Sequence, residues 1–187
     1  IVNMPFKATG IRDLQVFEPR VFADSRGYFF ESFNKQTFEE AGIATTFVQD
    51  NESRSNKGVV RGLHYQHEPF AQAKLVRVVA GRVLDIALDI RKGSPTFGKY
   101  FSIELSAENK LQLYIPRGFA HGFSVLEDNT IFQYKCDNFY SKESEGGING
   151  FDAALNIDWG IQLGDAIVSE KDKDLPSFAN CVTHFVY

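Results

Sequence analysis

Apolar residues between positions 59 and 135 recur at every second place in short runs, and glycine, proline, aspartate and asparagine break those runs. A period of two belongs to strands, whose side chains point alternately to opposite faces of a sheet. The alternation is clearest in Leu84, Ile86, Leu88 and Ile90, with Asp85 and Asp89 on the opposite face. Strands are predicted over residues 59–66, 74–80, 82–90, 100–105, 111–115, 120–126 and 130–135. Residues 11–17 lead in, and Arg26-Gly27 turns into an aromatic strand over 28–33. One helix signal stands among them: Asn34 caps residues 36–41 and Gly42 stops them. Past Gly146 the strand pattern thins, and residues 171–175, ahead of Pro176, read as a helical turn returning to the main body. Gly81 and Pro116-Arg117-Gly118 supply tight corners. The pattern predicts an all-β fold, a β-barrel or jelly roll with short peripheral helices.

At 187 residues the chain has the length of one domain, and neither an internal repeat nor a low-complexity linker divides residues 1–187. Hydrophobic residues at 43% and charged residues at 24% are ordinary for a globular chain. The departure is aromatic: 18 Phe, 7 Tyr and 1 Trp are enough to fill a wide interior and still line a sugar or base pocket. A net charge of −4 leaves no basic footprint for nucleic acid or an anionic membrane, so neither is an expected partner. An anionic small molecule would have to be held by local cations. No apolar run approaches the ~20 residues of a membrane span, and the start lacks a basic stretch followed by an apolar one. The expected location is the cytoplasm. Met4 is the one methionine, and Ile1 to Asn3 read as an added remnant ahead of the natural start. Cys136 and Cys181 stand outside any CxxC or zinc-like spacing and read as reduced thiols.

Three clusters combine rings with charge: Arg61-Gly62-Leu63-His64-Tyr65-Gln66, Pro116-Arg117-Gly118-Phe119-Ala120-His121-Gly122-Phe123, and Tyr134-Lys135 through Tyr140. A single histidine in an apolar strand is usually a hydrogen-bonded core residue. His64 has more around it. Gln66 shares its strand face, Arg61 and Tyr65 lie near, and Lys74 opens the next strand. Lys74 reads either as a charge hidden in a pocket or as a strand-edge lysine that discourages aggregation. Pro116-x-Gly118-x-x-His121, taken with Gly62 and Gly81, is similar to the second cupin motif, which implies a cupin-type jelly-roll β-barrel with its site inside. The first cupin motif ordinarily supplies His-x-His and a later Glu as metal ligands. Here the strand reads His64-Tyr65-Gln66, and Lys74 stands where a carboxylate is expected. A divalent ion would meet too few ligands and a repelling cation, so no metal and no cofactor are expected.

Further blocks run in order along the chain: Arg26-Gly27-Tyr28-Phe29-Phe30-Glu31-Ser32, Phe47-Val48-Gln49-Asp50-Asn51, Arg61-Gly62-Leu63-His64, Lys74-Leu75-Val76-Arg77, Asp89 to Gly98, and Ile115 to Phe123. Together they resemble the dTDP-4-dehydrorhamnose 3,5-epimerase family from about Gly10 to about Pro176. The resemblance implies a dTDP-4-keto-6-deoxy-glucose substrate inverted at carbons 3 and 5, on the way to dTDP-L-rhamnose. Both carbons flank the ketone at carbon 4. Removing a proton there gives an enolate, which calls for a base, an oxyanion stabiliser and an acid on the opposite face.

The resemblance implies His64 as the base, Asp172 as the partner that fixes its tautomer, Lys74 as the cation at the carbon 4 oxygen, and Tyr134 as the proton donor. Asp174 is the fallback for Asp172, because a one-residue length difference falls between Trp159 and Asp172. Tyr140 is implied to stack on thymine, with Phe139 as the ring a register slip would substitute. Arg26, Glu31, Gln49, Asp50, Asn51, Arg61, Lys74, His121, Glu145 and Lys171 fall on positions used for substrate contacts, with Arg61 and Lys171 suited to the diphosphate. A homodimer is implied, formed through the sheets with N-terminal strands crossing the interface. Residue by residue, plainer readings stand beside these: Arg26 and Glu31 as a cross-strand ion pair, Asp50 and Asn51 as a turn, Tyr134 and Tyr140 as core rings. The competing activities are epimerisation at a single centre of a related 4-keto sugar nucleotide, and a cupin barrel that binds sugar without turnover.

Overall fold

The alternating stretches fold as strands of two facing sheets in the computed structural model, which describes residues 5–187. The reading of Ile1 to Asn3 lies outside the described residues. In chain order the strands are β1 (Phe6–Ala8), β2 (Gln15–Phe17), β3 (Phe22–Asp24), β4 (Gly27–Phe29), β5 (Gln49–Ser55), β6 (Val59–Gln66), β7 (Lys74–Ala80) and β8 (Arg82–Asp89). They continue with β9 (Tyr100–Ser106), β10 (Gln112–Ile115), β11 (Phe119–Val125), β12 (Thr130–Cys136), β13 (Glu145–Gly147) and β14 (Ile167–Val168). Two short helices, α1 (Lys35–Glu40) and α2 (Glu170–Lys173), lie at the periphery. One sheet runs β1-β2-β10-β7-β12-β5, and the other runs β13-β6-β11-β8-β9 with β14 parallel to β6. The backbone pairing leaves these as two sheets of a jelly roll, without the hydrogen-bonded closure of a barrel.

The interior between the sheets is built from their inward positions. Val76, Val78, Leu113 and Phe132 from the first sheet meet Val83, Ala87, Phe119, Phe123 and Val125 from the second. Outside the second sheet, Ile148, Leu155 and Trp159 from the chain's last third cover Leu63, Ile86 and Leu88. Outside the first, Phe38 of α1 and Ile43 cover Phe17, Leu75 and Tyr114. The sheets are therefore apolar on both faces over much of their area, and only their inner end is left for a polar site. No helix of the described residues is long and apolar enough to cross a membrane.

Where the alternation was clear, the strand ends agree with it to within a residue or so. Asn34 caps α1 through its side chain, which accepts from Thr37 N, and Gly42 ends it at φ +81°. Two predicted stretches shorten. Residues 11–14 form a turn with Asp13 at φ +71°, so the lead-in strand is only β2. The aromatic stretch 28–33 contributes only its first part to a detached hairpin, β3–β4. β5 lacked any apolar signal. Its inward residues Gln49, Asn51 and Ser53 are polar, as are its exposed residues Asp50, Glu52 and Arg54, yet it pairs along its whole length with β12.

The face of β8 that carries Asp85 and Asp89 is the interior one, and both carboxylates are fully buried. Asp89 accepts hydrogen bonds from Arg91 N, Nε and Nη2 at 3.0, 3.0 and 2.9 Å, from Ser94 Oγ at 2.6 Å and from Thr96 Oγ1 at 2.7 Å. Burial pushes its carboxyl up, but these donors outweigh burial and hold it below the ordinary range. It is the knot of the β8–β9 connection. Removing one partner of a buried charged pair costs ~3–5 kcal/mol. Asp89→Ala is expected to lose about that much stability in a urea titration with an unchanged slope, and a loss below ~1 kcal/mol would contradict this reading.

Candidate active site

His64 lies on β6 opposite His121 of β11, with its imidazole opening into the inner end of the sandwich. The residue behind it comes from 108 positions later in the chain. Ser169 caps α2 by accepting from Asp172 N, which turns the Asp172 side chain toward β6. Asp172 Oδ1 stands 2.7 Å from His64 Nε2, and its Oδ2 accepts from Gly62 N at 3.0 Å. Gly62 has to be glycine here. Its φ is +106°, and an added Cβ would lie 2.5 Å from the His121 carbonyl oxygen.

The two partners differ sharply in exposure: the His64 side chain is 41% accessible and that of Asp172 only 5%. Burial pushes the Asp172 carboxyl up, but the bonds from His64 and Gly62 outweigh it and keep the pKa below the ordinary 3.8. An ionised carboxylate only accepts, so His64 Nε2 carries the proton and Nδ1 is the ring nitrogen left free. An imidazole in this setting can take a proton at Nδ1, backed by a negative charge that stabilises the cation so formed.

Lys74 opens β7, a central strand of the first sheet with β10 and β12 on its two sides, so it is not an edge lysine. Burial pulls its ammonium down from the usual lysine range. It has no salt-bridge partner among the described residues; its Nζ lies 5.8 Å from the centre of the Tyr134 ring. Tyr134 projects from β12 to the same place. Burial pushes its hydroxyl up, and that hydroxyl has no hydrogen-bond partner among the described residues. Two cavities, of about 580 and 520 Å³, meet at His64, Lys74, Tyr134 and Lys171. The outer one is rimmed by Gln49, Asn51, Tyr140 and Glu145, and the inner one is lined by Arg61, His121, Phe123, Phe132 and Asp172.

The rim is hydrogen-bonded to itself. Gln49 Nε2 donates to Asn51 Oδ1 at 3.0 Å, and Gln49 Oε1 accepts from Tyr140 N at 3.0 Å. Tyr140 Oη donates to Glu145 at 3.1 Å, and Lys171 Nζ reaches the other Glu145 oxygen at 2.7 Å. The bond from Lys171 holds the Glu145 carboxyl below its ordinary range; burial opposes this, and the bond from Tyr140 adds to the lowering. Arg61, an exposed residue of β6, is held by Ser55 Oγ at 3.1 and 3.3 Å and has no carboxylate partner among the described residues. A ring, an arginine and a lysine thus line a path from the surface to His64, fitting for an aromatic base joined to an anionic linker.

A family profile described as dTDP-4-dehydrorhamnose 3,5-epimerase matches residues 8–180. The chain belongs to the dTDP-4-dehydrorhamnose 3,5-epimerase family. It is 59% identical to the dTDP-4-dehydrorhamnose 3,5-epimerase of Shigella flexneri over 165 residues, covering 88% of this chain and 90% of that one. The crystal structure of the Elizabethkingia anophelis enzyme of the same name superposes with a TM-score of 0.91 at 55% identity, over 94% of this chain and 96% of that one. A Legionella pneumophila dTDP-6-deoxy-D-glucose-3,5-epimerase in complex with dTDP-4-keto-L-rhamnose gives a TM-score of 0.89 at 48% identity, over 94% and 93% of the two chains.

Within this epimerase-family fold, the cleft brings together His64, Lys74, Tyr134, Asp172, Gln49, Asn51, Arg61, His121, Tyr140, Glu145 and Lys171. Asp172, not Asp174, meets His64, and Tyr140, not Phe139, lines the cleft. Three expected contact residues stand apart. Arg26 is tied to Asp24 and Glu31 accepts from Asn34, so neither enters the cleft and they do not pair with each other. Asp50 faces outward from β5 and pairs with Lys135 at 3.0 Å. Asp50 and Asn51 lie in a strand, not a turn. Lys142, Gln72 and Asn180 line the outer cavity, and no signal in the sequence marked them. Asp85, which bonds His121, was visible only as an isolated acid in an apolar run. Among the described residues no group of three or more His, Cys, Asp or Glu side chains is placed to hold a metal ion.

A carboxyl group whose folded pKa is depressed adds stability above its unfolded value and loses it as pH falls through the folded value. Asp172→Asn is therefore expected to cost about 1–3 kcal/mol near neutral pH. The gap from the unsubstituted protein should narrow as pH falls below 3.8. Urea midpoints of both proteins from pH 7 down to strongly acid conditions read this, and a pH-independent gap would contradict it.

Proposed function

We propose that the chain inverts carbons 3 and 5 of dTDP-4-keto-6-deoxy-glucose, giving dTDP-4-keto-L-rhamnose for dTDP-L-rhamnose biosynthesis. The observation that carries the reading is the junction of the two cavities, where His64, Lys74 and Tyr134 share one space and Asp172 is buried behind His64. His64 takes the proton from the carbon beside the ketone, and Asp172 stabilises the imidazolium. Lys74 meets the oxygen of carbon 4, where a fixed positive charge favours the enolate over the ketone. Tyr134 returns a proton from the other face. Its raised pKa keeps the phenol protonated until the enolate carbon, a far stronger base, accepts. Inversion follows because the proton leaves on one face and arrives on the other.

The nucleoside occupies the outer cavity, with thymine on Tyr140, and the diphosphate spans from Lys171, where the cavities meet, to Arg61 of the inner one; Gln49, Asn51, His121 and Glu145 complete the contacts. Lys171 must leave Glu145 in part to serve a phosphate. Arg26, Glu31 and Asp50 act in a homodimer. The β3–β4 region leaves Phe22, Tyr28 and Phe29 at 51, 60 and 66% exposure, an apolar surface suited to cover by a second copy, which would carry Arg26 and Glu31 to the partner's cleft.

The test is epimerisation in deuterated water, read by NMR of the sugar. Deuterium is expected at both carbon 3 and carbon 5. His64→Asn should lower exchange at both by ~10²–10⁴-fold, the usual range for a general base, whereas Tyr134→Phe should impair inversion more than exchange. Deuterium at one carbon only would replace double inversion with a single-centre reaction. No exchange at either would leave a binding protein.

A further inference from the structure

The interior face of β8 holds a carboxylate for which the proton-transfer scheme has no use. Asp85 is fully buried, and its Oδ2 lies 2.9 Å from Nε2 of His121 on the neighbouring strand β11. Its Oδ1 is buried with no hydrogen-bond partner among the described residues. Buried polar atoms are nearly always paired, and an unpaired charged oxygen is costly, so such an atom calls for a cause. The His64–Asp172 pair has no comparable defect, since both Asp172 oxygens accept.

Lys74 enters the same interior from the opposite sheet. The titratable groups that share its inner cavity or strand register are Tyr134 and Cys136 on β12, Arg61 and His64 on β6, His121 on β11, and Lys171 and Asp172 of α2, with Asp85 of β8 behind His121; its β10 neighbour in register is Ile115, which carries no charge. Burial pulls the ammonium down, and charge on Cys136 and Asp85 opposes this. Burial pushes the Cys136 thiol up to about 11, so it is neutral at ordinary pH. Of the groups that favour the charged ammonium, Asp85 is then the carboxylate.

We propose that Asp85 is a positioning residue of the reaction: it holds His121 by Nε2 so that Nδ1 faces the sugar seat, and it supplies the negative charge that keeps Lys74 an ammonium beside the ketone. Its free oxygen is what lets one carboxylate serve both groups. A second donor on Oδ1 would spend the charge locally, whereas an unpaired oxygen leaves it to act across the low-dielectric interior on the cation opposite. This rests on the epimerase reading, and the unsubstituted enzyme in the same assay reports on that reading separately: absence of solvent exchange there refutes the reaction, whatever the variants do.

The experiment is the pH profile of solvent-proton exchange at carbons 3 and 5, measured for the unsubstituted enzyme, Asp85→Asn and His121→Gln. Asp85→Asn keeps the shape and the acceptor for His121 but removes the charge. Its alkaline limb should move to lower pH by about one unit or more, with kcat reduced and KM nearly unchanged. A limb that stays in place, or a loss confined to KM, overturns the assignment. His121→Gln decides independently should Asp85→Asn fail to fold: it should lower kcat and leave the limb where it is, because Asp85 retains its charge. A limb displaced in that variant would move the effect from Asp85 to His121 and overturn the proposal.

Discussion

The hydrogen bond between Asp172 and His64 is the constraint around which the site is organised. A carboxylate 5% exposed must be fully satisfied or it costs several kcal/mol, and here it is satisfied only if the end of the chain returns to β6. Several features deliver it. β14 runs beside the start of β6 through Ile167 and Val168, Ser169 starts α2 immediately afterwards, and Asp172 then reaches His64 and Gly62 together. Gly62 is the counterpart on β6, because a side chain there would strike β11. The bond thus sets one local geometry at both ends: the docked turn of α2 and the close approach of β6 to β11.

The rest of the interior makes that pair useful. Apart from the Asp89–Arg91 knot, apolar packing on both faces of the sheets leaves the cleft as the polar part of the sandwich, and the ionisable groups of the site gather there. Burial has opposite effects on its members. It lowers the ammonium of Lys74 and raises the phenol of Tyr134, so the cation gives up its proton more readily than in water and the phenol holds its proton more firmly. Both side chains lack a strong partner of their own among the described residues, so a ligand that meets Lys74 or Tyr134 breaks no ion pair of theirs. At the rim the reverse holds, since Glu145 already engages Lys171 and Tyr140.

Legibility in the sequence followed the same physics. β6, β7 and β12 announced themselves by apolar alternation, because one face of each packs in the core. β5 did not, because its inward residues line the cleft and are polar, so function erased the periodic signal. Asp89 showed as the start of one block of the family resemblance but not as a buried knot, since sequence spacing does not tell which face of a twice-buried strand is inside. The pairing of His64 with Asp172 came through the family resemblance, as no local pattern links residues 108 apart. Arg26 and Glu31 belonged to the same resemblance, yet one chain leaves them outside its own cleft.

A double-mutant cycle on the His64–Asp172 pair, read as the rate of solvent exchange at carbons 3 and 5, tests the central claim most directly. If Asp172 acts by orienting His64 and stabilising its protonated form, Asp172→Asn alone slows exchange by ~10²–10⁴-fold. The same change made on top of His64→Asn then slows it no further, because the group through which Asp172 acts is gone. Losses that multiply independently in the double variant would contradict the account and give Asp172 a role of its own.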